Sequence, residues 1–303
     1  MKSTIKTTDS SAMVYDHTNS MAVNSKTQYA ELGKKRIAYR LIGKGEPIIL
    51  CNRFRGNLDD WDPKFLDLLA ENFKVVTFNY TGLASSSGDK HKKVIDFAKD
   101  VKELSEYLGF KKIIVGGWSV GGWVAQIVTT EFPEIVSQTI LIGTKPPGNV
   151  KHQIEELFMQ TAFKPYYDLE DEVILFFDPT SEYSRKLAKE SHDRIAIRES
   201  DRDIRIDEKD WEVFLNAGED YTNDPYNARE KIQKTNIPML VISSQHEICF
   251  PPENWMELNM KIRSTQIIII PQTGHGPQHQ YPELVTKYIL QFIEHNKQNL
   301  LAN

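Results

Sequence analysis

The stretch Ile113-Ile114-Val115-Gly116-Gly117-Trp118-Ser119-Val120-Gly121-Gly122 carries the reading from which the fold follows. An apolar β-type run, Ile113 to Val115, is expected to end in a sharp turn at Gly116-Gly117, and a helix is expected from Val120 to Phe132. Residues Gly117 to Gly121 fit G-x-S-x-G at that strand-to-helix boundary. A serine hydroxyl is a weak nucleophile, so a tight turn must thrust it toward a base. The flanking glycines remove side chains that would obstruct the approach. The new helix also aims N–H groups and its positive dipole end at the place where an oxyanion would form. A glycine-rich turn that serves only sheet-to-helix packing is the competing reading. G-x-x-x-x-G-K-[ST] and G-x-G-x-x-G are both absent, so this is no phosphate loop.

Outward from this turn, strands alternate with helices as parallel βαβ units require. Tyr29 to Leu32 and Arg36 to Leu41 read as a hairpin that feeds the buried strand Ile48 to Cys51. Asp62-Pro63 suits a helix start, with Phe65, Leu66, Leu68 and Leu69 at helical spacing behind it. Strand Lys74 to Phe78, helix Ile95 to Leu108 and, after the central turn, strand Gln138 to Ile142 follow. Past Pro146-Pro147-Gly148 the rhythm breaks into helical period rich in aromatics, and it resumes at Ile237-Pro238. Core segments 27–146 and 233–303 are therefore expected around a helical cap, 147–232, inserted after the sixth strand. Within the cap, Arg198 to Asp210 is dense in charges of both signs and reads as a solvated face. Strand Met239 to Ile242, helix Asn254 to Lys261, strand Gln266 to Ile270 and helix Glu283 to His295 close the core.

The 303 residues and 40% hydrophobic content suffice for one large α/β domain carrying an insertion. A net charge of −5 offers no dominant basic field for a nucleic acid or an anionic membrane. Two cysteines, Cys51 and Cys249, make no disulfide framework and suit a reducing compartment. Residues 1–26 are polar and lack an apolar run long enough for a membrane span or a signal segment. They are expected to be a disordered leader, and the location is expected to be cytoplasmic. Nothing in the sequence speaks to oligomeric state.

Two further turns carry chemistry. His275, in Thr273-Gly274-His275-Gly276-Pro277, follows the last strand directly. Parallel strands present their carboxyl ends together, so His275 shares a sheet edge with Ser119 and is the candidate base. His275 and His279 have the i, i+4 spacing of a metal pair, but Pro277 between them disfavours the regular helix a zinc site would need. The carboxylate that holds the imidazole is expected after the first strand beyond the cap. Glu247 is the only acid in the loop Ser243 to Pro251, and Gly143 to Gly148, after the preceding strand, contains none.

Ser119, Glu247 and His275, in that order, together with the strand-turn-helix at Ser119, resemble the α/β-hydrolase superfamily, specifically its capped serine hydrolases. Arg36-Ile37-Ala38-Tyr39-Arg40 looks like the second strand of capped members. Asn79-Tyr80-Thr81-Gly82-Leu83-Ala84-Ser85 resembles their D-x-R-G-x-G-x-S turn, with Asn79, Thr81 and Ala84 departing from it. Leu50-Cys51-Asn52-Arg53-Phe54-Arg55-Gly56 stands where they read L-H-G-x-x-G, with Asn52 and Arg53 in place of His-Gly. The resemblance implies the α/β-hydrolase fold, a mostly parallel central sheet flanked by helices, and oxyanion donors at the backbone N–H groups of Val120 and Phe54. It implies a triad of Ser119, Glu247 and His275, with no metal or organic cofactor. Haloalkane dehalogenases and epoxide hydrolases use Asp where this chain has Ser119.

The expected activity is hydrolysis of a carboxylic ester, lactone or thioester of a small, partly apolar molecule through an acyl-enzyme on Ser119. A cofactor-free haloperoxidase or perhydrolase with the same triad is an alternative, and a non-catalytic receptor on the same fold is another. Phe158, Phe176, Phe177, Trp211 and Phe214 are candidate lining residues. Arg53 and Arg55 either recognise a substrate carboxylate or balance Asp59, Asp60 and Asp62.

Overall fold

The apolar runs that read as strands do so because both of their faces are covered. The computed structural model describes residues 15–258 and 260–301. Its sheet contains β1 (Gln28–Leu32), β2 (Lys35–Gly43), β3 (Glu46–Cys51), β4 (Phe73–Phe78), β5 (Ile113–Trp118), β6 (Val136–Ile142), β7 (Met239–Ser244) and β8 (Thr265–Ile270). The order is β1-β2-β4-β3-β5-β6-β7-β8. β2 runs antiparallel to both of its neighbours, and every pair from β4 to β8 is parallel. Ile48, Ile49 and Leu50 of β3, Ile113 to Val115 of β5 and Met239 to Ile242 of β7 are buried. A parallel sheet flanked by helices on both sides demands such continuous apolar strands.

Local chemistry sets the helix ends. Asp62 caps the helix Pro63–Ala70 by accepting from Lys64 N–H at 2.9 Å, and Pro63 takes the first helical position, where its missing donor costs nothing. Helices Val94–Tyr107 and Val120–Glu131 begin and end within a residue of expectation. Helix Glu253–Met256 is shorter than the expected Asn254 to Lys261. No helix among the described residues is long and apolar enough to cross a membrane.

Three expectations need correction. The chain does not turn at Gly116-Gly117. Both residues remain in β5, opposite Leu50 and Cys51 of β3 and opposite Ile140 and Leu141 of β6. Ladders on both sides hold glycines that have poor strand propensity of their own, and the turn falls at Ser119.

Residues 15–26, expected as the end of a disordered leader, are ordered. The Tyr15 hydroxyl donates to Asp67 and accepts from the Ser20 hydroxyl, Ala22 N–H donates to Asp67 at 2.7 Å, and a helix spans Met21–Asn24. Residues 1–14 lie outside the described residues.

Arg198 to Asp210 is a solvated face only in part: Glu199 to Arg202, Ile204, Arg205 and Asp207 to Lys209 are exposed, but other charges of the segment face inward. Arg198, buried, donates to Ala22 O and Ser25 O, while the Asp203 carboxylate accepts from Leu58 N–H, Asn79 and Ser85. Charges at nearby positions serve here to join the inserted segment to loops of the sheet, a role that depends on tertiary placement and not on charge count.

Between β6 and β7 lie the helices Glu156–Ala162, Leu169–Phe176, Glu182–Ala196, Glu212–Asn223 and Ala228–Lys234. Their hydrogen bonds go to loops that follow strands. Gly276 N–H donates to Phe176 O at 2.8 Å, and Glu155 N–H donates to Ile248 O at 2.9 Å. Arg194 is buried against Asp62, at 2.6 Å. The inserted segment is thereby fastened at the carboxyl ends of β3, β7 and β8, where ligands enter open α/β sheets.

Candidate active site

Ser119 follows β5 with φ 59 and ψ −121, in the left-handed region that non-glycine residues avoid. Such strain, on the order of 1–3 kcal/mol, persists only where the surroundings over-determine it. They do so here. Ser119 N–H donates to Ile142 O at 2.9 Å, and its carbonyl accepts from Gly122 N–H at 2.9 Å. Gly121 is obligatory, since a Cβ there would stand 2.0 Å from Cys51 O.

His275 lies in the turn after β8 and Glu247 in the turn after β7. Both are buried, and His275 Nδ1 is 2.9 Å from each carboxylate oxygen of Glu247. Glu247 is held in turn: its Oε1 accepts from the N–H groups of Cys249 and Phe250, each at 3.0 Å. Gly143, at φ 48 after β6, makes room for the pair, because a Cβ there would lie 2.6 Å from His275 O and 3.1 Å from Nδ1. Trp118 Nε1 donates to His275 O at 2.8 Å, and the rings of Phe158 and Phe250 stand edge-on to the imidazole. The orientation of the ring is therefore fixed, with Nδ1 committed to Glu247. Buried Nε2 has no hydrogen-bond partner among the described residues.

Ser119, Val120, Phe54 and His275 line one cavity of about 120 Å³. The remaining wall is apolar except for Arg53 and the Tyr167 and Cys249 side chains. Of the five aromatics expected there, Phe158, Phe176 and Phe214 line it. Phe177 and Trp211 do not. Phe177 packs its backbone against Gly274, and Trp211 stands edge-on to Phe54 and Phe163. Trp123 also lines the cavity and was missed by the sequence reading. Its position four residues after Ser119, one helical turn along the same face, was the available signal.

Phe54 is positioned by its neighbours. Arg53 Nη1 donates to Phe54 O at 2.7 Å, Arg53 Nη2 binds Asp60 at 2.7 Å, and Asn52 Nδ2 donates to Asn57 O at 2.9 Å. Arg53 thus balances Asp60, as one of the two sequence readings had it. Arg55 forms no ion pair among the described residues. Its guanidinium donates to Ala162 O, Lys164 O and Pro165 O at 3.0, 2.7 and 2.9 Å, sandwiched between Tyr167 and Trp211. Asp59 and Asp62 are taken by Arg40 and Arg194. Arg55 therefore staples the loop after β3 to the inserted segment. Arg55→Met is expected to destabilise the protein by about 3 kcal/mol, the scale of losing charge-assisted bonds to carbonyls that stay buried. Urea unfolding checks this; a loss under about 1 kcal/mol would leave the staple without energetic weight.

His279 belongs to the core. Its Nε2 accepts from Asp62 N–H at 3.3 Å, and its ring lies 4.6 Å from that of Trp118. Burial, with Arg53 and Arg194 nearby, holds it well below the usual imidazole range and hence neutral. Donor atoms of Glu247, Cys249 and His275 lie within 4.8 Å of one another. The carboxylate is already committed to three N–H groups, and burial, with the Glu247 charge, pushes the Cys249 thiol well above its usual range. The cluster is a hydrogen-bonded pair beside a neutral thiol.

With this geometry in place, comparison with known proteins gives consistent results. Residues 46–282 match the family model described as alpha/beta hydrolase fold. The chain is 24% identical to proline iminopeptidase PfmaB of Pestalotiopsis fici, over 88% of this chain and 99% of that protein. It is 30% identical to a non-heme haloperoxidase of Rhodococcus erythropolis, over 37% of this chain and 41% of that protein. A solved alpha/beta hydrolase fold protein from Chitinophaga pinensis superposes with a TM-score of 0.82 at 26% identity, covering 90% of this chain and 98% of that one. The chain, by its strand order, its serine turn and this match over most of its length, belongs to the α/β-hydrolase fold family.

Proposed function

We propose that the protein is a serine hydrolase that cleaves carboxylic esters of partly apolar molecules through an acyl-enzyme on Ser119. The observation that carries this reading is the pairing of His275 Nδ1 with Glu247, which leaves buried Nε2 unpartnered in the same cavity as Ser119. Nε2 takes the Ser119 proton as Oγ bonds to the substrate carbonyl carbon. N–H groups of Val120 and Phe54 receive the oxyanion. Collapse of the tetrahedral intermediate breaks the ester C–O bond, and the imidazolium gives its proton to the departing alcohol. Water, deprotonated by the same nitrogen, then releases the acid and restores Ser119. Segment 147–232 acts as the cap that closes the cavity from above, and no metal or organic cofactor takes part.

An N-terminal prolyl substrate would bring an ammonium to a wall whose fixed charge is Arg53 and which has no carboxylate, so esters are preferred to such peptides. The likeness to a non-heme haloperoxidase supports a second reading, in which hydrogen peroxide replaces water as acyl acceptor. The test uses purified protein with p-nitrophenyl esters, proline p-nitroanilide and acetate plus peroxide, alongside labelling by a fluorophosphonate. Ester turnover with the label on Ser119 is the expected result. Peracid formation exceeding ester turnover would favour the second reading, and neither turnover nor label in folded protein would sink both.

A further inference from the structure

Beside the catalytic cavity lies a second chamber of about 350 Å³. The two share a wall of Trp123, Ile154, Phe214, Leu215, Cys249 and Phe250. The catalytic side is largely apolar, whereas the second chamber carries polar groups and one buried cation, Lys145, in the turn after β6. Its backbone is pinned, because Gln126 Nε2 and the Tyr221 hydroxyl donate to Lys145 O at 3.0 and 3.1 Å.

The Lys145 ammonium lacks a counter-ion. Lys145 is 8% exposed, and no ion pair to it occurs among the described residues. Its Nζ donates to Thr222 Oγ1 at 2.9 Å, one hydrogen bond for a group with three donors. The rings of Trp123 and Tyr221 lie 5.9 and 5.8 Å from it, at the outer limit for useful cation–π attraction. The chamber's own acid, Glu219, is exposed and is not paired with it. Arg229 adds a second cation, likewise without an ion pair among the described residues and with its Nε buried and unpartnered. Burial, reinforced by Arg229, lowers the Lys145 amine to about 8, so it is still mostly protonated at neutral pH. A buried charge without a counter-ion is costly, and the fold keeps one at the wall of an open chamber that adjoins the Ser119 cavity.

We propose that Lys145 is a specificity-determining anion receptor, and that the substrate is an ester whose acyl chain ends in a carboxylate seated against Lys145 while its carbonyl lies at Ser119. The shared wall of Ile154, Phe214, Leu215 and Phe250 offers the apolar surface that the intervening methylenes cover. This deepens the ester-hydrolase reading and rests on it.

The experiment compares mono-p-nitrophenyl suberate and adipate with the neutral p-nitrophenyl octanoate and hexanoate, using wild type, Lys145→Met, Lys145→Gln and Lys145→Arg. Wild type is expected to favour the carboxylate-ended ester by about tenfold or more in kcat/KM, the scale of one well-placed charge pair. Lys145→Met and Lys145→Gln should lower that charged-to-neutral ratio at least tenfold, mainly through KM, and Lys145→Arg should restore part of it. A wild-type preference for the neutral ester, or an unchanged ratio in a folded neutral variant, overturns the proposal. Should no ester be turned over, the hydrolase reading fails by itself, and calorimetric titration with suberate then judges Lys145 separately. Binding by wild type that is lost in Lys145→Gln supports the receptor; no binding, or equal binding, overturns it.

Discussion

Ser119→Ala is expected to lower ester kcat by about 10⁴-fold or more and to abolish fluorophosphonate labelling, while the fold survives. Magnitudes of this size follow when the group that forms the covalent bond is removed, since the oxyanion donors and substrate binding alone supply only residual rate. Survival of the fold follows from the structure. The bonds that hold position 119 in its left-handed conformation are backbone bonds, to Ile142 O and from Gly122 N–H, and alanine keeps both. Paired measurements of kcat, label incorporation and thermal midpoint check the prediction. A folded variant with more than a tenth of wild-type turnover would remove Ser119 from the nucleophile's role.

Glu247→Gln is expected to lower kcat by about 10³–10⁴-fold, with a smaller change in KM. The size comes from the tautomer. Oε1 accepts from Cys249 and Phe250 N–H groups, so the glutamine oxygen takes that position and its NH₂ takes the Oε2 position, likewise 2.9 Å from His275 Nδ1. That NH₂ opposes an Nδ1–H and donates to a bare Nδ1, which favours the tautomer with its proton on Nε2, where it cannot receive one from Ser119, and the neutral amide no longer stabilises the imidazolium. Steady-state kinetics on the folded variant decide the matter. A loss below tenfold would mean that the tautomer is set by something other than Glu247. Arg55→Met provides the contrast, because it touches no reacting group and should act on stability before chemistry.

Much of the fold was legible because it is written in short-range signals. Parallel strands covered on both faces must be apolar throughout, so β3, β5, β6 and β7 stand out as runs, and Asp62-Pro63 marks a helix start with its own cap. Ser119, His275 and Glu247 were found in the same way, each in a turn directly after a strand. The reading failed where partners are remote. Gly116 and Gly117 looked like a turn because glycine has low strand propensity, yet ladders from β3 and β6 hold them extended. Arg198 and Asp203 looked like solvent-facing charges, and Arg55 like the counter-ion of a nearby aspartate. Each instead bonds to a loop or segment far along the chain. Residues 15–26 have little apolar content of their own, and their order comes from Asp67 and Arg198.

By itself, then, the sequence determined the strand-and-helix alternation, the insertion after β6 and the identities of three candidate site residues, since these depend on residue type, period and position in a turn. The tertiary structure alone decided that His275 Nδ1 meets Glu247 while Nε2 is left over, which of the aromatics face the cavity, and that Lys145 is buried with no ion pair among the described residues. Hydrogen-bond geometry and desolvation are set by whatever the fold brings within a few ångströms. Neither is a property of a residue's neighbours in sequence.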